Sequence, residues 1–134
     1  MSTIFTRIID GEIPGTFVWQ DDRCAAFMSI NPLRRGHVLV VCRDEIDHWL
    51  DASRDVREHL FDVAHAIGVA QHAAFQPERV GLMIAGLEVP HVHLHVVPID
   101  GVHDLDFANA AQSVDRDELE SAAAEIRAHL PQPD

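Results

Sequence analysis

The sequence contains no lysine, and all ten of its basic residues are arginine. A lysine Schiff base, a catalytic lysine and a lysine phosphate clamp are therefore excluded. The basic residues are also outnumbered by 22 acidic ones, which gives a formal net charge of −12. Because nucleic acid is itself strongly negative, this net charge disfavours non-specific binding of nucleic acid over a broad surface. We expect no nucleic-acid partner.

Cysteines and long apolar runs are also scarce. The two cysteines, Cys24 and Cys42, lack CxxC spacing, so neither a disulfide framework nor a four-ligand zinc cluster is predicted from them. No apolar stretch approaches the length of about 18 residues that a membrane span needs, and residues 1–9 lack the features of a signal peptide. We expect a cytoplasmic protein without a membrane partner.

The remaining pattern favours one mixed domain. The chain has 134 residues, of which 47% are hydrophobic, and this length suits a single core over residues 1–134. Periodicity and turn signals predict strands over residues 17–20, 23–30, 37–42, 80–85 and 90–97. They also predict three helices: one over residues 4–9, one that starts at a cap at Asp51 or Ser53 and ends at Phe75, and one over residues 115–130. Only one helix separates the strand clusters, which predicts an α+β fold with a largely antiparallel sheet.

The C-terminal part, residues 100–134, is predicted to be an acidic extension of this domain. Its first turn carries Asp100, Asp104 and Asp106. A solvated face is the ordinary reason for such a charge pattern. We therefore expect these carboxylates to be exposed.

The most informative segment is His91-Val92-His93-Leu94-His95-Val96-Val97. Alternate residues of a strand share one face, so the pattern predicts three imidazoles on one side and the intervening apolar residues against the core. Three roles are open: a metal site, a structural or pH-sensing trio, and covalent catalysis on phosphate. A metal site is disfavoured because three alternate histidines cannot all bind one ion unless the strand bends. A structural trio is disfavoured because three buried imidazoles without a ligand need hydrogen-bond partners for six ring nitrogens. Covalent catalysis by a neutral imidazole is favoured.

The segment resembles the His-φ-His-φ-His-φ-φ signature (φ apolar) of the histidine triad superfamily, in its nucleotide-binding, phosphoramidase-like branch. Similarity extends over about residues 3–99 and is carried by residues 4–14, 21–27, 30–32, 36–41 and 86–90. The resemblance implies a homodimer whose protomers each hold a five-stranded antiparallel sheet, with a long helix and a C-terminal helix. It also implies binding of a purine nucleotide or nucleotide conjugate and cleavage at the α-phosphate through a nucleotidyl-histidine intermediate, with no cofactor or essential metal.

Residue roles follow from the same resemblance. His93 is the implied nucleophile, His95 hydrogen-bonds the phosphate, His91 helps to orient His93, and His37 supports the triad from behind. Glu88 lies where similar proteins place a polar side chain near the leaving group. It protonates a departing amine if burial raises its pKa, and otherwise caps the turn or pairs with an arginine.

The resemblance also implies a nucleotide pocket. Its base-binding wall is formed by Phe5, Ile8, Phe27, Ile30 and Leu39. Ser29 stands where the family often has an aspartate for the ribose hydroxyls, and a serine cannot accept from both hydroxyls as a carboxylate can. This difference brings nucleoside affinity or sugar preference into question.

The expected activity is hydrolysis of a nucleoside 5′-phosphoramidate. Two alternatives remain open: a dinucleoside polyphosphate hydrolase or phosphorylase, and a nucleotide-binding regulator with low turnover. The second is motivated by Ser29 and by Leu87, which replaces a common glutamine.

Overall fold

Five strands and three α-helices make up the fold in the computed structural model, which describes residues 2–131. The strands are β1 (Phe17–Gln20), β2 (Cys24–Met28), β3 (Val38–Cys42), β4 (Arg79–Met83) and β5 (His93–Ile99). The helices are α1 (Ile4–Ile9), α2 (Arg54–Phe75) and α3 (Arg116–Arg127), with short 3-10 turns at Trp49–Asp51, Val102–Leu105 and Phe107–Asn109. The predicted α+β class is confirmed. The predicted domain also includes Met1 and residues 132–134, which lie outside the described residues.

The strands form one antiparallel sheet in the order β1-β2-β3-β5-β4. In the register of β3 and β5, Leu39 lies opposite His95 and Val41 lies opposite His93. Because paired residues project to the same face, these four side chains share one side of the sheet. The alternate residues Leu94 and Val96 of β5 belong to the main core together with Val92, as the alternating pattern predicts.

Helix α2 covers the core side of the sheet. Ser53 caps it, since its hydroxyl accepts a hydrogen bond from the Val56 N–H. The helix buries its apolar stripe, Leu60, Val63, Ala64, Ile67 and Ala70, in this core. Each fully buried Leu, Ile or Val stabilises the fold by about 1.5 to 3 kcal/mol relative to an exposed position. The opposite face of the sheet is left for α1 and the segments around it.

Strand β5 begins later than predicted, at His93 instead of Pro90. The His91 N–H donates to the Val89 carbonyl and the Val92 N–H donates to the Ile46 carbonyl, so these two residues leave the ladder. His91 is therefore outside the strand. At its other end β5 continues past Pro98 to Ile99, where it pairs with β4 alone, so the missing proline N–H is tolerated. Helix α1 and strand β1 have their predicted bounds, and the other element boundaries differ from prediction by at most three residues.

The acidic C-terminal segment is not a solvated face at Asp104, and that expectation was wrong. The Asp104 carboxylate is buried and accepts hydrogen bonds from the Asp100 and Gly101 N–H groups at 2.8 and 3.1 Å. Arg34 donates to Asp104 at 2.6 Å and to Asp100 at 2.9 Å. A buried carboxylate needs such partners, and they attach the start of the segment to the loop between β2 and β3.

A second tether follows a few residues later. The Asn31 side-chain amide donates to the carbonyls of Ala111 and Gln112 at 3.1 and 2.9 Å, and the Ala111 N–H donates to the Pro32 carbonyl. The segment therefore lies beside the end of β2 and reaches the face of the sheet that carries His93 and His95. Among the described helices, none has the length and apolar character needed to cross a bilayer.

Candidate active site

His93 lies in β5 with its ring almost fully buried and one ring nitrogen facing a cavity. Its Nδ1 is 2.7 Å from the His91 carbonyl oxygen. Because a carbonyl can only accept, Nδ1 carries the proton and Nε2 carries the lone pair. The ring of Phe5 meets the His93 ring edge-on, with centroids 4.8 Å apart, and holds it in place. Among residues 2–131, Nε2 has no hydrogen-bond partner, as a nucleophile requires.

The proton of His95 is fixed by a short relay. The Leu33 N–H donates to His37 Nδ1 at 3.0 Å, so the single proton of neutral His37 is on Nε2. That Nε2 lies 3.0 Å from His95 Nδ1, which must accept. His95 therefore carries its proton on Nε2, and the side chain lines the same cavity as His93. The cavity is therefore lined by one imidazole lone pair, on His93 Nε2, and one imidazole N–H donor, on His95 Nε2.

His91 is placed differently from the other two motif histidines. It has no exposed surface and does not line the cavity. Its Nε2 donates to the Cys42 carbonyl at 2.6 Å and its Nδ1 accepts from the Thr3 hydroxyl at 2.6 Å. Both ring nitrogens of His91 already have hydrogen-bond partners, so the three histidines do not converge on a single metal ion. The expectation that all three imidazoles face a cleft holds for His93 and His95 and is wrong for His91, because the chain bends before the strand begins.

Burial keeps these rings neutral. Desolvation, followed by the influence of His95 and His93, lowers the pKa of His37 to about 3. Desolvation together with His93 lowers the pKa of His95 to about 4. The pKa of His93 is also lowered, chiefly by burial, although the His91 carbonyl and the charge of Glu88 oppose the shift. At neutral pH His93 is therefore uncharged and able to donate its lone pair.

The cavity in front of these rings has a volume of about 330 Å³, within the range of small-molecule sites. Ten of the eleven predicted site residues line it; the exception is His91. The ten are His37, His93, His95, Glu88, Phe5, Ile8, Phe27, Ser29, Ile30 and Leu39. We call this space the histidine cavity. Its apolar wall comes from α1, β2 and β3, which the sheet order brings together.

Glu88 lines the histidine cavity from the loop between β4 and β5, but its side chain is exposed. The burial on which the predicted proton-donor role was based is therefore absent. Among the described residues it also forms no ion pair with an arginine, so that alternative reading is not supported. Its influence on His93 is electrostatic, because its charge favours the protonated ring.

The structure adds residues that sequence reasoning did not identify. Phe107, Ala110, Arg116 and Leu119 line the histidine cavity from the C-terminal segment. The Phe107 ring meets the His95 ring at a centroid distance of 5.1 Å. An isolated aromatic residue within an acidic stretch is the one signal in this segment, and it does not indicate what the ring contacts. Thr3, the partner of His91, carries no sequence signal beyond its role as a helix cap.

Asp21, Cys24 and His59 form a separate cluster of metal-ligand types between the β1–β2 turn and α2. The Asp21 carboxylate already accepts hydrogen bonds from Trp19, His59 and two backbone N–H groups. Burial and Asp21 raise the pKa of the Cys24 thiol to about 12, which disfavours the thiolate that a metal needs. The cluster is explained by its internal hydrogen bonds, which join the hairpin to the helix.

Comparison with known proteins identifies the family. The model of the HIT domain matches residues 10–102. The chain belongs to the histidine triad (HIT) family. An uncharacterized HIT-like protein of Methanocaldococcus jannaschii is 31% identical over 121 residues, which cover 87% of this chain and 94% of that protein. Protein hit of Bacillus subtilis is 31% identical over 106 residues, covering 75% and 73% of the two chains.

Solved structures agree. The crystal structure of a HIT-like protein from Bartonella henselae superposes with a TM-score of 0.86 at 30% identity, over 96% of each chain. HIT family membership places this chain among nucleotide-binding hydrolases and transferases. The match to the HIT model ends at residue 102, so Phe107, Arg116 and the other C-terminal residues of the cavity lie beyond it.

Proposed function

We propose that this HIT protein is a cytoplasmic nucleoside 5′-phosphoramidate hydrolase that splits an amine from the α-phosphate of a purine nucleotide. One observation carries the proposal: the Nε2 lone pair of neutral, oriented His93 faces a cavity that His95 supplies with a hydrogen-bond donor. The apolar wall around Phe27 and Leu39 suits a purine base, and no cofactor is required for this chemistry.

The first step forms a bond between His93 Nε2 and phosphorus and breaks the phosphorus–nitrogen bond of the substrate. His93 then carries the nucleotide and a positive charge, which its Nδ1–H shares with the His91 carbonyl oxygen. His95 Nε2–H donates to a phosphate oxygen as negative charge develops. The departing amine takes up one proton, for which exposed Glu88 is the proposed route from solvent.

The second step returns the enzyme to its starting state. Water attacks phosphorus, the bond to His93 Nε2 breaks, and the proton released from water leaves by way of Glu88. The products are the nucleoside monophosphate and the amine. His91 is a positioning residue in this scheme: the Thr3 hydroxyl and the Cys42 carbonyl fix its ring, and its own carbonyl fixes the His93 tautomer.

Trapping the intermediate tests the proposal. We expect a nucleotidyl adduct on His93 after the protein is mixed briefly with adenosine 5′-phosphoramidate and quenched in alkaline denaturant, since phosphorus–nitrogen bonds to histidine are acid-labile. Peptide mass spectrometry locates the adduct. The matched control is His129→Gln, a change at an exposed histidine, which should leave the adduct on His93. AMP formation without any adduct on a wild-type time course, or an adduct on another residue, contradicts the scheme.

HIT proteins often act as dimers, and a homodimer through β4 is our proposal for this one. Strand β4 is the edge of the sheet and pairs with β5 alone. Beside it, exposed Leu82, Phe61 and Val69 line a shallow apolar groove. An edge strand and an exposed apolar patch invite association, and a second copy placed by a two-fold axis would cover both.

Sedimentation equilibrium checks the homodimer. We expect Leu82→Arg to weaken self-association by at least about 10-fold, because a guanidinium buried at an apolar interface loses hydration without a partner. Leu50→Arg is the matched control, since Leu50 is also an exposed leucine, 64% exposed against 42% for Leu82, and lies outside the groove. A wild-type protein that stays monomeric at micromolar concentration, or equal effects of the two variants, rejects this interface.

A further inference from the structure

Among the described residues, Arg116 is the one arginine in the lining of the histidine cavity, and it is otherwise exposed. Among residues 2–131 its side chain forms no hydrogen bond and no ion pair. Arg34 and Arg35, which line the adjoining cavity, are each held by two carboxylates. A positive side chain without a carboxylate partner, in a chain with a net charge of −12, is available for an anionic ligand.

Arg116 belongs to the part of the histidine cavity that meets the adjoining cavity. Arg116 is the first residue of α3, and the chain before it is tied to Asn31 through the carbonyls of Ala111 and Gln112. Leu119, three residues later and so on the same side of the helix, lines both the histidine cavity and the adjoining one. Met28, Ser29 and His37 are also shared by the two cavities, which places Arg116 near the junction of the two cavities, where Ser29 lies.

Ser29 supplies a second donor at this end. The residue is buried, and its Oγ accepts a hydrogen bond from the Asn31 N–H at 3.2 Å. Its hydroxyl proton has no acceptor among the described residues, although the side chain lines the cavity. The acidic residue of the cavity lining, Glu88, acts on His93 and comes from the β4–β5 loop. The Ser29 end therefore presents donors and positive charge, which is the chemistry that binds phosphate oxygens.

We propose that Arg116 and Ser29 bind a second phosphate of the substrate, in addition to the α-phosphate held at His93 and His95. This inference rests on the proposed function, because it assumes a nucleotide in the histidine cavity. The second phosphate could be carried by the ribose or by the leaving group. In dinucleotide sites, an arginine near the ribose accommodates a phosphate where a carboxylate would bind the hydroxyls, and Ser29 with Arg116 follows that logic.

Calorimetric titration with four unreactive nucleotides tests the subsite and its source. The probes are AMP, adenosine 2′,5′-bisphosphate, adenosine 3′,5′-bisphosphate and the α,β-methylene analogue of ADP. We expect at least one compound with a second phosphate to bind about 10- to 100-fold more tightly than AMP, as charge-assisted hydrogen bonds allow. A gain for a ribose bisphosphate assigns the phosphate to the sugar, and a gain for the methylene analogue assigns it to the leaving-group side.

Variants distinguish a specific contact of Arg116 with the second phosphate from a general effect of the protein's charge. The quantity to compare is the ratio of the dissociation constant of AMP to that of the tightest-binding compound with a second phosphate. Arg116→Gln is expected to bring this ratio close to one, and Arg116→Lys is expected to keep part of the difference. Arg54→Gln removes the same charge from an exposed position on α2 and is expected to leave the ratio intact. If AMP binds but no second phosphate adds affinity, or if the ratio survives Arg116→Gln, the subsite is wrong and the proposed function stands. If no adenosine nucleotide binds and no His93 adduct forms, both are wrong.

Discussion

Replacing His93 with alanine is expected to lower the turnover of adenosine 5′-phosphoramidate by about 10⁴-fold or more, as removal of a covalent nucleophile does in other enzymes. The reason is geometric: among the described residues, no other imidazole presents an unpaired lone pair to the cavity. His95 has a proton on its cavity-facing nitrogen, because His37 donates to its Nδ1, and both nitrogens of His91 are engaged. Single-turnover kinetics with product analysis measures the loss.

The control for this experiment must separate chemistry from folding. His93→Ala leaves space beside Phe5, so thermal unfolding and AMP binding should be measured on the same samples. His129→Ala removes an exposed histidine from the end of the chain and should keep full turnover. If His93→Ala binds AMP and turns over at the wild-type rate, the nucleophile assignment is wrong and the low-turnover nucleotide-binding regulator becomes the better description.

Much of this site could be predicted from local sequence, for a physical reason. Strand side chains alternate, so the spacing of His93 and His95 fixes their common face without any knowledge of neighbouring elements. The same rule predicts that Leu94 and Val96 enter the core. The family resemblance alone places Leu39 in the pocket, and the observed register of β3 and β5 puts it directly opposite His95.

The remainder depends on contacts between residues far apart in the chain. His91 leaves the strand because its N–H and that of Val92 find other carbonyls, a competition that alternation cannot show. The proton positions of His37 and His95 follow from the Leu33 N–H, a backbone group with no sequence signature. Arg116 reaches the cavity because Asn31 holds a segment 80 residues away, and helical periodicity says nothing about what such a segment packs against.

The buried histidines also make the fold sensitive to mild acid. His37 and His95 have pKa values of about 3 and about 4 in the folded protein, against 6.5 for an ordinary histidine. Below pH 6.5 the unfolded chain therefore binds protons that the folded chain excludes, and stability falls as the pH falls. Between about pH 7.5 and pH 5.5 the two sites together should lower the free energy of unfolding by about 2.5 kcal/mol.

This pH window isolates the histidines, because ordinary carboxylates titrate below it. Urea denaturation at about pH 7.5 and 5.5 measures the difference. We expect His37→Gln to reduce it by about 1.3 kcal/mol, the share of one histidine, because the folded variant no longer excludes a proton at that position. The exposed His129→Gln should show the wild-type difference. Equal wild-type stability at the two pH values would mean that the folded protein accepts protons at His37 or His95, which is incompatible with the relay that makes His95 a donor.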